Sequence, residues 1–221
     1  MTLYSSTRGK VKNISFEETV MMGLADDGGL LIPNKLPQVN ENLKKWRSLD
    51  YKELSLEIIS LFTKESIPRK ELNSIIQKSY NKFRNPKITP IKKVGNIHIL
   101  ELFHGPTFAF KDIALQFLGN IFEYFLKARQ HPLRILGATS GDTGSAAIYG
   151  LKGKKGIEVF MLFPKGRVSP IQERQMTTIL DPNIYNLSIE GSFDDAQLIV
   201  KKIFNNHEFK HNYYLASVNS I

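Results

Sequence analysis

The sequence predicts an α/β protein in which a mainly helical N-terminal region precedes a parallel sheet of about four strands. Three observations lead there. From residue 131 onward, short apolar runs alternate with amphipathic helical stretches, the rhythm of right-handed βαβ units. Residues 51–80 carry helical spacing instead, and the two prolines of Asn85-Pro86-Lys87-Ile88-Thr89-Pro90 end that pattern. Finally, the small-residue stretch Gly137-Ala138-Thr139-Ser140-Gly141-Asp142-Thr143-Gly144 joins a predicted strand to a predicted helix, the kind of connection at which parallel sheets place ligands.

Each element has its own signal. In Ser15-Phe16-Glu17-Glu18 the serine caps a helix and Glu18 stands three residues on, a capping box whose helix stops near Gly23. Asp26-Asp27-Gly28-Gly29 reads as a turn, on its own a plain connection, and Leu30-Leu31-Ile32-Pro33 leaves it extended. Leu54, Ile58, Leu61 and Phe62 set a helix over 51–63; Leu72, Ile75 and Ile76 set another over 69–80. The proline pair marks a boundary, so residues 1–88 form the N-terminal region and 89–130 a segment carrying Lys111. Residues 131–221 form the parallel α/β domain.

Residues 97–102 read as a strand ending in a His-Gly-Pro-Thr turn. The helix begun by Lys111 has Ile113, Leu115, Phe117, Leu118, Ile121, Phe122 and Phe125 around most of its circumference, which predicts burial. Strands then fall at 134–138, 157–163, 184–189 and 213–218, with helices at 142–151, 169–180 and 192–206 between them. Ser192 and Asp195 are spaced for a capping box on the last helix, and Ala196, Ile199, Val200 and Ile203 share one face.

The chain of 221 residues is long enough for a real core, and 42% apolar with 23% charged residues is folded-protein composition. A net charge of +9 invites a nucleic-acid partner, but the lysines are scattered beside glutamates without a basic stripe interleaved with aromatics. Solvated surface charge, or steering of an anionic substrate, fits better, and no nucleic-acid partner is expected. Without cysteine there is no disulfide and no thiolate chemistry. His207 and His211 stand four apart but lack the acidic partner of a zinc-protease helix, so no metal is expected. The N-terminus carries no signal peptide and no run nears the roughly 18 apolar residues of a membrane span; a soluble cytoplasmic protein with no membrane partner is expected.

Two stretches carry the chemistry. In Glu101-Leu102-Phe103-His104-Gly105-Pro106-Thr107-Phe108-Ala109-Phe110-Lys111-Asp112 a lysine stands among Phe108, Phe110 and Ile113. Burial against such residues favours a neutral, nucleophilic amine; the competing reading is a lysine snorkelling into water. Asp112 suits a first helical turn, and His104 is either an acid–base group or a turn histidine bonded to backbone. The second stretch ends in neither the Gly-Lys-Ser/Thr of a P-loop nor the Gly-x-Gly of a dinucleotide site. Its hydroxyls, on Thr139, Ser140 and Thr143, join the free N–H groups of a helix start and suit a carboxylate or phosphate, against a reading of pure packing. Lys165, Arg167 and Gln172 either face the same cleft or belong to an ordinary basic loop.

A nucleophilic amine beside an anion cradle is what pyridoxal phosphate chemistry requires, and the two stretches closely resemble the signature blocks of threonine synthase. Three more blocks follow the family's order: Gly23-Leu24-Ala25-Asp26-Asp27-Gly28-Gly29-Leu30, residues 164–172, and Ser217-Val218-Asn219-Ser220-Ile221. The resemblance implies a fold-type II pyridoxal phosphate enzyme, cytoplasmic and acting in threonine biosynthesis. It is a lyase that turns O-phospho-L-homoserine and water into L-threonine and phosphate by γ-elimination and β-addition. Lys111 would be the Schiff-base lysine. Asp142 falls where many relatives carry an asparagine near the pyridoxal 3′-oxygen, so an aspartate there would be neutral or differently placed. Thr139, Ser140, Gly141 and Thr143 would hold the substrate carboxylate, with Ser217 and Asn219 near its phosphate. The family's later glycine-rich phosphate loop has no counterpart here, which leads us to expect a truncated enzyme lacking the remainder of the large domain, with weak cofactor retention and bare apolar surface. A phospholyase of the same family and a non-catalytic module retaining the fold are the alternatives.

Overall fold

The computed structural model describes residues 2–63 and 65–218. The chain forms two compact units, Met1–His104 and Gly105–Ile221.

In the first unit, strand β1 (Tyr4–Ser6) pairs antiparallel with β2 (Leu31–Pro33). Helix α1 (Phe16–Met22) lies between them in sequence and carries the predicted capping box. Ser15 Oγ accepts the Glu18 N–H at 3.2 Å, and the Glu18 carboxylate accepts the Ser15 N–H at 2.7 Å. The turn at Asp27 is more than a connection. Its carboxylate accepts the Ser6 hydroxyl at 2.6 Å and the N–H groups of Gly29 and Lys10 at 2.9 and 3.0 Å. The short helix α2 (Leu43–Trp46) precedes α3 (Tyr51–Thr63) and α4 (Arg69–Tyr80), whose bounds match the apolar spacing. Leu72, Ile75, Ile76 and Tyr80 are buried, and Tyr80 meets Tyr51 and Phe83 edge-on.

A hairpin of β3 (Ile91–Val94) and β4 (Ile97–Leu100) closes this unit; only its second strand carries a sequence signal. Ile91, Val94, Ile97, Ile99 and Leu100 are all exposed there. A groove of about 600 Å³ lined by Leu36, Trp46, Leu54, Ile58 and Phe62 is a second apolar surface within the unit.

The second unit runs α5 (Asp112–Leu126), β5 (Leu133–Ala138), α6 (Asp142–Leu151), β6 (Ile157–Pro164) and α7 (Pro170–Thr177). It continues through β7 (Ile184–Ile189), α8 (Phe193–Asn205), α9 (His207–Asn212) and β8 (Leu215–Ala216). The strands form one parallel sheet in the order β7-β6-β5-β8. Its register pairs Ala138 with Leu162, Pro164 with Ile189 and Ile135 with Ala216, so the loops after β5, β6 and β8 leave the same edge. This is the edge where open α/β sheets bind ligands.

On one face, α8 packs Ala196, Val200 and Phe204 on Leu136, Ala138 and Leu162. Ile203 joins this contact partly buried, whereas Ile199, expected on the same face, is exposed. Helix α5 is buried along most of its surface, as its residues predict. The polar stretch around His207 and His211, to which the sequence assigned no element, is exposed at both histidines and forms α9, where Asn206 Oδ1 accepts the Phe209 N–H at 3.0 Å. The last strand shrinks to two residues because only Leu215 and Ala216 find β5 partners.

Candidate functional site

Lys111 stands at the N-cap of α5, at the end of a turn that wraps a buried carboxylate. Asp112 is fully buried and accepts the Thr107 N–H at 2.7 Å, the Thr107 hydroxyl at 2.9 Å and the Gln116 amide at 3.2 Å. Gly105 is required by this wrap, since a Cβ there would lie 2.4 Å from Asp112 Cβ. Phe108 adopts the left-handed region at φ 64°, a rare state for a bulky residue, which re-aims the chain just before the lysine. The expected apolar wall is an open rim. Phe108 and Phe110 are 56% and 58% exposed, and the Lys111 Nζ lies 4.4 Å from the centre of the Phe110 ring. Lys111 itself is partly buried.

The second turn is organised by Thr139, 1% exposed. Its Oγ1 accepts the Gly141 N–H at 2.9 Å and the Gly144 N–H at 2.8 Å, while its own N–H donates to Leu162 O. Thr139 therefore shapes the turn. The N–H groups of the first α6 turn that Thr139 does not take belong to Asp142 and Thr143, at the mouth of the helix. Ser140 and Asp142 are exposed beside them. Gly141 sits at φ 141°, a state that side chains rarely adopt, and its carbonyl accepts the Ser145 hydroxyl at 2.9 Å. A small anion fits such a cradle of backbone donors and hydroxyls.

Helix α7, after β6, touches both turns. Gln172 Nε2 donates to Asp142 Oδ1, and Gln175 Nε2 donates to Thr107 O at 3.3 Å. Of the loop residues left open between cleft and surface, Gln172 thus packs on the 139–144 turn. Lys165 pairs with Glu190 at 2.7 Å on the surface, and Arg167 is exposed. The structure accordingly brings Thr139, Ser140, Gly141, Asp142 and Thr143 into one turn and ties the Lys111 turn to it through α7. Ser217 is buried directly after β8, at the same sheet edge; Asn219 lies outside the described residues.

Sequence reading missed Gln175 and Met176 and saw Asp112 only as a first-turn acid. The one available signal was the three-residue spacing of Ser169, Gln172 and Gln175, a stripe on one helix face. His104, in the first unit, is bonded to a side chain where a backbone bond was one expectation. Its Nε2 lies 2.7 Å from Glu101 Oε2, and Lys92 Nζ lies 2.8 Å from the other oxygen. Lys92 first and His104 second hold the Glu101 carboxyl below the ordinary range. Among the described residues no group of three or more His, Cys, Asp or Glu is placed to hold a metal, and no helix is long and apolar enough to cross a membrane.

Comparison with known proteins places these features in a family. Residues 3–80 match the model of the threonine synthase N terminus. Threonine synthase of Schizosaccharomyces pombe is 52% identical over 99% of this chain and 45% of its own length. The structure of PLP-bound threonine synthase from Brucella melitensis superposes with a TM-score of 0.92 at 43% identity, covering 100% of this chain and 48% of that one. That of threonine synthase from yeast gives 0.88 at 50% identity, over 99% and 46%. The chain spans about half the length of the relatives it matches. On these grounds it belongs to the threonine synthase family, as the counterpart of the family's N-terminal portion.

Proposed function

We propose that this chain carries the cofactor lysine and the substrate-binding turn of a pyridoxal-phosphate-dependent threonine synthase, a lyase converting O-phospho-L-homoserine and water to L-threonine and phosphate. The observation that carries the reading is the coupling of the turn that ends at the partly buried Lys111 to a helix-start turn through α7. The residues fit the cofactor: Lys111, at the N-cap of α5, would meet its aldehyde, and the exposed side chain of Asp142 stands at the mouth of the turn, where it would face the ring.

Pyridoxal phosphate, when bound, supplies an electron sink that stabilises negative charge on the substrate carbons. The remaining work falls to the chain. The Lys111 amine takes the proton from the substrate Cα and returns protons to the neighbouring carbons, because its tether keeps it beside them. The N–H groups of Asp142 and Thr143, with the Ser140 and Thr143 hydroxyls, bind the substrate carboxylate, and the buried Thr139 keeps those donors aimed. Gly141 serves the carboxylate through the shape of the turn, since its N–H is held by Thr139 Oγ1 and its missing side chain makes room for Gln172. Ser217, with Asn219, serves the substrate phosphate. The chain's net charge of +9 favours encounter with such an anionic phospho-amino acid, and the setting would be cytoplasmic.

The test is a visible absorbance spectrum of the protein with pyridoxal phosphate, before and after borohydride, followed by peptide mapping. A reduced adduct on Lys111, lost in Lys111→Ala, supports the cofactor site; labelling of other lysines alone defeats it. Threonine formation from O-phosphohomoserine then separates a synthase from a phospholyase, which releases phosphate without threonine.

A further inference from the structure

We infer that α7 is the positioning element of this site: Gln172 and Gln175 on one of its faces fix the Asp142 turn and the Lys111 turn to a common rigid helix. The inference rests on the functional reading above and names the residues that set the spacing within it.

Helix α7 buries only Met176, so packing of an apolar face does not explain its place in the unit. Polar contacts do. Ser169 caps the helix and donates its hydroxyl to Gln172 Oε1 at 2.9 Å, which turns the amide nitrogen of Gln172 toward Asp142. The fit leaves no slack, since a Cβ on Gly141 would lie 2.5 Å from Gln172 Oε1. One turn further on, Met176 fills the space that Gly144 leaves; a Cβ there would lie 2.7 Å from the sulfur. Gln175 reaches the other way, to the carbonyl of the Thr107 whose N–H and hydroxyl hold Asp112 beside Lys111. The far end of the helix is tied to the sheet by Asn186 of β7, whose side chain donates to Met176 O at 3.0 Å. Residues 169, 172, 175 and 176 lie along one helical stripe. Gln116 and the seam of α5 against α6 already hold the two helices together; α7 adds a second tie, bonded to both turns themselves, through which displacement of one is passed to the other.

The test is amide hydrogen exchange at 107–112 and 139–144 in Gln172→Met and Gln175→Met, which keep side-chain length and lose the donor. Loss of one such hydrogen bond loosens the tied turn about fivefold. Coupling through α7 predicts faster exchange in both turns for each variant, with a far-UV spectrum unchanged from the parent. Exchange that rises only in the turn each glutamine touches, or in neither, overturns the inference. Gln172→Glu and Gln175→Glu give the same reading should a methionine variant fail to fold. Pyridoxal phosphate labelling of Lys111 in the same variants is expected to weaken about fivefold with it. Exchange is measured without cofactor, so a parent protein that never labels Lys111 refutes the functional reading and leaves the coupling result to stand or fall by itself.

Discussion

Thr107 donates twice to the carboxylate of Asp112, from its N–H at 2.7 Å and from its hydroxyl at 2.9 Å, and so closes the turn that ends at Lys111. The carboxylate is fully buried, and it also sits in the first turn of α5, where the helix dipole favours negative charge. The motif residue next to the lysine is thus the one that holds the lysine's backbone in place.

Asp112→Asn tests that role. The amide keeps one acceptor oxygen but turns an N–H₂ toward donors, leaving a buried group without a partner. The expected loss is about 1.5–3 kcal/mol, the range for hydrogen bonds to charged groups. Urea unfolding checks the magnitude, and labelling of Lys111 by pyridoxal phosphate should fall with it. An unchanged midpoint would show that the turn is held by something other than this carboxylate.

Thr139→Val is nearly the same shape and removes the acceptor that two buried glycines share, Gly141 N–H at 2.9 Å and Gly144 N–H at 2.8 Å. Each stranded donor costs about 1–3 kcal/mol. Thr139→Ser restores the hydroxyl and should recover most of the stability, with the remainder reporting the lost methyl contact to Gly144. The pair of midpoints therefore separates hydrogen bonding from packing at one position.

The sequence disclosed most where signals are local. The bounds of α3, α4, α6 and β7 follow from apolar spacing and flanking breakers, and the Ser15 and Ser192 capping boxes form as their spacing requires. Elements defined by a distant partner were not legible. Tyr4–Ser6 is a strand because Leu31–Pro33 lies beside it, and Ile91–Val94 because Ile97–Leu100 folds back on it; three or four residues hold too little alternation to announce either. The His207–Asn212 helix has almost no apolar period and depends on its Asn206 cap. Of the candidate site, the strand-to-helix turn at 139–144 and the helix start at Lys111 were legible from residue type. The contacts of Asp112, Gln172 and Gln175 were not, since each depends on which loops the sheet brings to one edge.

Gly119 and Gly150 form the seam of α5 against α6. A Cβ on Gly119 would lie 2.1 Å from the Gly150 carbonyl oxygen, and one on Gly150 would lie 2.4 Å from the Leu115 carbonyl oxygen. Neither obstacle is a flexible side chain, so the helices must part. Gly119→Ala should cost about 1–3 kcal/mol, the usual penalty of overpacking, despite the better helix propensity of alanine. A neutral or stabilising Gly119→Ala, measured by thermal unfolding, would mean that the seam is looser than the backbone spacing shows.

Acid stability tests the N-terminal turn. The Ser6 hydroxyl, followed by the N–H groups of Gly29 and Lys10, holds the Asp27 carboxyl down to about 2 in the folded chain. The unfolded chain carries an ordinary aspartate of about 3.9. A lowered folded value means that the stabilisation is fully present above the unfolded one and is lost as pH falls through the folded one. Between about pH 4 and pH 2 the unfolded state binds the extra proton, so stability declines with acid across that window. Asp27→Asn removes this titration and should flatten the decline there while lowering stability at neutral pH. Ser6→Ala should act in the same direction by removing the largest cause, raising the carboxyl toward its ordinary value. A pH profile in Asp27→Asn that still falls as steeply over the same window would assign the acid sensitivity to other carboxylates, Glu101 with its Lys92 and His104 partners first among them.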